Sequence, residues 1–232
     1  MQWISHYQLF LFDFDGLLVN TEHLHYQAYQ TMCTQRGYHL DWDFHRYSQA
    51  AHHNATDLRD QIYQAFPALQ AEEPQWSILY EEKKQAFVSL IKKGAAQLMP
   101  GVAILLSALQ DAAIKSCVVT HSPTLLIHLI RQQHAILNTI PHWITREDYS
   151  HPKPHPECYE LAIQRFASST DQVIGFEDSP RGLKALSATR ATPVLICPPD
   201  SSYLDKLLDS VIYYHSFTAI TDQNAPYLTS SG

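Results

Sequence analysis

The 232-residue sequence predicts an α/β protein, a parallel β-sheet faced by helices, with an all-helical block inserted after the first strand. Three observations carry that expectation. Leu9-Phe-Leu-Phe12 is a short apolar run of the kind buried on both faces of a parallel sheet. From Val19 to about Lys93 the spacing is helical throughout, with no β-rich interruption. After Met99-Pro-Gly101 short apolar runs alternate with helical stretches, as in right-handed βαβ units.

Taken in order, the first strand covers Leu9 to Phe14. Thr21 is placed to cap a helix running through His25, Tyr29 and Cys33 to Arg36, closed by Gly37. Further helices are expected at Ala55–Phe66 and from about Gln75 to Lys93, where Glu81, Glu82, Lys83 and Lys84 read as a solvated face. A helix at about Val102–Asp111 then leads to a strand at Lys115–Thr120. Strands at His142–Thr145, Val173–Phe176, Pro193–Cys197 and Val211–Tyr214 follow, with helices at Thr124–His134, Pro156–Phe166 and Pro180–Ala188 between them. One buried strand cannot stand alone beside helices, so the first strand joins this sheet. The organisation expected is a core of residues 1–18 and 96–232 and a helical cap of residues 19–95, inserted at the ligand end as a lid. The Ser/Thr-rich residues from about Gln223 are expected to fray.

Composition narrows the function. Hydrophobic content of 45% with 17% charged residues describes a globular chain rather than a disordered one. Sixteen basic against 23 acidic residues give a net charge of −7, and the only basic clusters are pairs such as Lys83-Lys84 and Lys92-Lys93. That excludes a nucleic-acid footprint, and an anionic substrate would need local positive charge or a metal. No apolar run approaches the roughly 20 residues of a membrane span, and no basic-then-apolar leader is visible. A cytoplasmic location is expected, with Cys33, Cys117, Cys158 and Cys197 as reduced core thiols. Among fourteen histidines, His52-His53, His23/His25 and His151/His155 lack neighbouring cysteines or acids in a soft-metal pattern, and are read as surface or packing residues. No feature specifies an oligomeric state.

The chemistry gathers at strand ends. Asp13 and Asp15 follow the first apolar run, and period-two alternation would send both carboxylates to one side. Paired buried carboxylates call for a hard divalent cation or a shared proton; an ordinary strand-to-turn Asp-Gly at Asp15-Gly16 is the plainer alternative. Thr120-His-Ser-Pro123 closes a strand and opens a helix, with Ser122 as cap, phosphate site or both. Lys153 lies in His151-Pro-Lys-Pro-His-Pro156, where prolines stiffen the presentation of its ammonium; it reads equally as an exposed loop lysine. Glu177-Asp178 ends another strand before Ser179-Pro180, either as helix-start charge or as part of an oxygen-rich site suited to Mg²⁺.

In this order the set resembles the haloacid dehalogenase-like hydrolase superfamily over nearly the whole length. Asp13-Phe-Asp15-Gly16, Thr120, Lys153 and Glu177-Asp178 match its four motifs, and Leu98-Met-Pro-Gly101 looks like its return from cap to core. Lys-Pro-x-Pro-x-x-Tyr from Lys153 to Tyr159 and Gly-Phe-Glu-Asp-Ser are similar to its phosphatase-like branch. The resemblance implies a Rossmann-like core and Mg²⁺-dependent hydrolysis of a small phosphorylated metabolite. In it Asp13 is the nucleophile that forms an aspartyl-phosphate, and Asp15 is the acid and base. Mg²⁺ is held by Asp13, the Asp15 backbone carbonyl and Asp178, with Glu177 as a direct or water-mediated ligand. Thr120, the His121 backbone and Lys153 grip the phosphoryl group, and the cap closes to exclude water. Haloacid dehalogenases proper lack the second aspartate, so Asp15 argues against dehalogenation. The alternative is a sugar phosphomutase similar to β-phosphoglucomutase: His25 and Lys83 sit where that group places cap-hinge and cap-lysine residues. Its arginine for the distal phosphate has no match, the best counterpart falling near Asn54. A third reading is a non-catalytic binding protein that keeps the fold. His121 and Thr189-Arg190 depart mildly from the common pattern.

Overall fold

The computed structural model describes residues 1–53, 56–201, 203–204 and 211–227. Two compact units divide the chain, one from Met1–Asn20 with Gln97–Gly232 and the other from Thr21–Ala96.

The first unit is built on a parallel six-stranded sheet in the order β3-β2-β1-β4-β5-β6. Its strands are β1 (Leu9–Phe12), β2 (Lys115–Val119), β3 (His142–Ile144), β4 (Val173–Glu177), β5 (Thr192–Ile196) and β6 (Ile212–Tyr214). The helices of this unit are α6 (Val102–Asp111), α7 (Thr124–Gln133), α8 (Glu157–Phe166) and α9 (Pro180–Ser187). All four residues of β1 are buried, as a strand covered on both faces requires. Leu9 and Leu11 pack with Cys117, Val119, Tyr159 and Leu186 on one side. Phe10 and Phe12 stack with Phe176, at centroid distances of 6.1 and 5.5 Å. Arg190, outside the common pattern, ties down a loop by donating to the Asp171 and Ser168 carbonyls at 2.5 and 2.6 Å.

Among the described residues the second unit holds five helices where three were expected: α1 (Thr21–Gln35), α2 (Phe44–His53), α3 (Asp57–Ala65), α4 (Pro67–Glu72) and α5 (Trp76–Lys92). The start of α2 was signalled by Asp43, whose Oδ1 accepts the Arg46 N–H at 2.8 Å, and by Phe44, Tyr47 and Ala50 at helical spacing. Pro67 at the start of α4 satisfies the usual proline preference there. Tyr26, Tyr29, Met32, Trp42, Tyr47 and Ile62 belong to this unit's own core.

Three local expectations are corrected. Thr21 does not cap α1: it is the first helical residue, and its buried hydroxyl finds no hydrogen bond among the described residues. Ser122 does not cap α7, which starts one residue past Pro123. Residues 223–227 are anchored rather than frayed, since Asn224 donates to the Ala219 carbonyl at 3.1 Å and Tyr227 stacks on His6 at 3.9 Å. Asn54 and residues 228–232 lie outside the described residues, as do the side chains of His52 and His53. The four cysteines are free and buried, and no described helix is long and apolar enough to cross a membrane.

Candidate active site

The strand register builds the site. Phe12 is level with Val118 on β2 and Phe176 on β4, so Asp13, Val119 and Glu177 form the next rank across the three central strands. This rank lies at the C-terminal edge, beside the point where strand order reverses and open α/β sheets collect ligands. Lys153 reaches it from the loop between β3 and α8. Its Nζ donates to Asp13 Oδ1 at 2.5 Å, Glu177 Oε1 at 2.7 Å and the Val119 carbonyl at 2.9 Å. The Tyr159 hydroxyl lies 3.1 Å from Nζ and donates to Glu177 Oε1. Arg181 Nη2 donates to the Lys153 carbonyl at 2.7 Å, which steadies the backbone behind the ammonium.

Burial makes this cluster electrostatically demanding: Glu177 is 1% exposed, Asp13 8% and Lys153 9%. Burial pushes the Asp13 carboxyl up to about 8; Lys153 opposes this, while Glu177 and Asp15 add to it. For Lys153 burial works against the charge, but the Asp13 and Glu177 carboxylates outweigh it and hold the ammonium well above the usual lysine value. Burial and Glu177 likewise raise Tyr159, which stays a donor.

Asp13, Glu177 and Asp178 each offer a carboxylate oxygen, all within 4.8 Å of one another. Three carboxylates against one ammonium leave two negative charges when all are ionised. Glu177 Oε2 is buried and has no hydrogen-bond partner among the described residues, an arrangement costing about 1–3 kcal/mol or more for a charged group. A Cβ built on Gly182, in the first turn of α9, would fall 1.9–2.1 Å from the atoms of the Glu177 carboxylate, so only glycine leaves room for it there. An all-oxygen donor set with an orphaned buried oxygen and surplus negative charge fits a hard divalent cation.

Asp15 has different partners. Its Oδ2 accepts from Ser122 Oγ at 2.6 Å and from Thr120 Oγ1 at 3.2 Å, and Thr120 Oγ1 accepts the Ser122 N–H at 2.9 Å. Asp13 and Asp15 both lie past the end of β1 at Phe12, where the chain turns at Gly16, φ +80°, so strand alternation does not set their directions. The outcome is one carboxylate beside an ammonium and one among hydroxyls. Tyr149 backs this part of the site, donating to the Thr120 carbonyl at 3.1 Å with its oxygen 3.0 Å from His121 Nδ1.

The remaining expected residues, His25 on α1 and Lys83 on α5, meet each other within the helical unit. Lys83 Nζ lies 2.7 Å from His25 Nδ1 and over the rings of Tyr29, Phe87 and Tyr80 at 4.8, 5.4 and 5.6 Å. Lys83 is 4% exposed, so it is no part of a solvated face. Burial lowers it to about 8, with Glu22 pulling the other way, and burial plus Lys83 lowers His25 to about 3. His25 is therefore a neutral acceptor. The histidines at 151 and 155 are also corrected: an acid does stand beside them, Glu157, whose Oε2 lies 2.6 Å from His151 Nδ1.

Ser122, read as a cap, a phosphate site or both, is a partner of Asp15 at 2.6 Å. Sequence reasoning missed two contributors. Arg181 carried no signal. Gly182 did carry one: glycine within a helix costs about 1 kcal/mol against alanine, which asks for a packing reason.

A family model described as haloacid dehalogenase-like hydrolase matches residues 10–194, so the chain belongs to that family. The phosphorylated carbohydrates phosphatase of Thermotoga maritima is 26% identical over 178 residues, 75% of this chain and 78% of that protein. The validoxylamine A 7'-phosphate phosphatase of Streptomyces hygroscopicus subsp. limoneus is 29% identical over 195 residues, 80% and 82% of the two chains. In fold, the β-phosphoglucomutase structure from Clostridium difficile superposes with a TM-score of 0.66 at 21% identity, covering 94% of each chain.

Proposed function

We propose that the chain, a hydrolase by family, cleaves small phosphorylated metabolites, carbohydrate phosphates first among them, by a magnesium-dependent route through a phosphorylated Asp13. The observation that carries this is the Asp13–Lys153–Glu177 cluster beside Asp178, with Glu177 Oε2 lacking a hydrogen-bond partner among the described residues. The two phosphatases named above, acting on phosphorylated carbohydrates and on validoxylamine A 7'-phosphate, support the substrate class.

Asp13, Glu177 and Asp178 would hold the cation, which when bound supplies the charge that keeps Asp13 ionised and offsets the phosphate. The Asp13 carboxylate attacks phosphorus, forming a P–O bond to its own oxygen as the bond to the ester oxygen breaks. Asp15 gives its proton to the departing alcohol. It then takes a proton from water, whose oxygen attacks phosphorus and releases phosphate and free Asp13. Thr120 and Ser122 orient Asp15, and Lys153 balances charge on Asp13 as the phosphoryl group arrives.

Phosphate release from p-nitrophenyl phosphate and a panel of sugar phosphates, phosphoglycolate and nucleotides, with Mg²⁺ and with chelator, tests this reading. Turnover with Mg²⁺ only is expected; no turnover on any member would contradict it. The Lys83–His25 contact favours one second reading, a sugar phosphomutase. In that case β-glucose 1-phosphate with a bisphosphate primer gives glucose 6-phosphate with little free phosphate, and phosphate released as fast as substrate disappears would exclude it.

A further inference from the structure

Outside the carboxylate cluster, one group of side chains on the described surface has the chemistry of a metal site. His151, His155 and Glu157 each offer a ligand atom, and these atoms lie within 4.8 Å of one another. They belong to the segment His151-Pro-Lys-Pro-His-Pro-Glu157, in which three prolines restrict the backbone between the ligands. The two imidazole rings are 4.8 Å apart between centroids. The Glu157 carboxylate is already oriented: Oε1 accepts the Ser150 N–H at 3.0 Å, and Oε2 accepts the His151 N–H at 2.7 Å. Two imidazoles and a carboxylate suit a borderline divalent ion such as Zn²⁺, in contrast to the all-oxygen set around Asp13.

We infer that His151, His155 and Glu157 form a second cation site, selective for Zn²⁺-like ions, on the loop that presents Lys153. Metal entry at His151 Nδ1 replaces its contact with Glu157 Oε2, now 2.6 Å apart, and the neutral ring then carries its single proton on Nε2. His155 Nδ1 holds its lone pair toward the Glu157 N–H at a long 3.2 Å, a contact a cation readily replaces. Three protein ligands leave the fourth tetrahedral position to water. The ion would join both ends of the 151–157 segment and so brace the loop that carries Lys153. This inference stands apart from the proposed phosphatase activity.

Calorimetric titration of the full chain with Zn²⁺ tests it, in an Asp13→Asn background with excess Mg²⁺ to silence the carboxylate cluster. One equivalent is expected to bind despite the Mg²⁺, and to vanish in the His151→Ala/His155→Ala double variant. Each single substitution should weaken that equivalent by at least about tenfold, since even outer partners of metal ligands are worth that much. Co²⁺ absorption, reporting imidazole ligation, should appear in the parent and disappear in the double variant. Equal Zn²⁺ stoichiometry in parent and double variant would overturn the site, and would leave the His151–Glu157 contact as a loop-to-helix tie only. Displacement of the Zn²⁺ equivalent by Mg²⁺ would overturn its selectivity.

Discussion

Two buried lysines show how surroundings set the use of one side chain. Lys153, in the sheet unit, is enclosed by Asp13 and Glu177 and held firmly charged. Lys83, in the helical unit, is as deeply buried but faces a neutral histidine and aromatic rings, and falls to about 8. The first lysine is matched by more carboxylates than it can balance, which is the basis for proposing a cation there. The second is a cation held largely by ring faces and one imidazole, poised to lose its proton just above neutrality.

The largest effect that sharpens this contrast is on the carboxylate side. Asp13→Asn should reduce turnover by about 10⁴-fold or more while far-UV circular dichroism stays unchanged. Retained turnover would remove Asp13 from the chemistry. Lys153→Met should destabilise the metal-free protein by about 3–5 kcal/mol in urea unfolding, because two buried carboxylates lose their counter-charge. Added Mg²⁺ should recover part of that loss.

The opposite sign is expected at the second lysine. Lys83→Met should leave the helical unit unchanged or more stable at pH 7, by up to about 3 kcal/mol, since a depressed ammonium pKa marks a charge that folding disfavours. Between about 8 and the ordinary lysine value the unfolded chain carries a proton on Lys83 that the folded chain has released. Unfolding then takes up a proton, so the stability of this unit rises with pH across that window, and the rise should disappear in Lys83→Met. Amide exchange of α1 and α5 reads it; destabilisation by Lys83→Met comparable to that of Lys153→Met would erase the contrast.

A smaller effect separates the cradle from its helix. Gly182→Ala should weaken divalent-cation binding by about 10–100-fold, because the new methyl group displaces the Glu177 carboxylate. Helix propensity alone predicts a gain of about 1 kcal/mol from the same change, so unaltered metal affinity with higher stability would show that the cradle is not needed.

Much of this arrangement was legible in the sequence because it rests on strand ends. Apolar runs place β1, β2 and β4, and the polar residues Asp13, Thr120 and Glu177 stand where those runs stop. Lys153 was legible through its flanking prolines. The different hydrogen-bond partners of Asp13 and Asp15 were not, because they depend on where β1 ends and on a hydroxyl from Ser122, 107 residues away. Helices α2 and α4 were merged into a general helical pattern: the start signals at Asp43 and Pro67 were passed over, although Tyr47 and Leu69 are buried in this unit's core. The partnership of His151 with Glu157 was passed over because its acid follows six positions later and folds back across the prolines.

The central claim is that three carboxylates and one ammonium meet around a single hard cation. Anomalous diffraction from crystals grown with Mn²⁺ as a magnesium substitute addresses it directly. One peak is expected within about 2.0–2.3 Å of oxygens from Asp13 and Asp178, with Glu177 alongside it or one water away. An empty map at that position, with the Asp13 and Asp178 carboxylates turned away from each other, would contradict it.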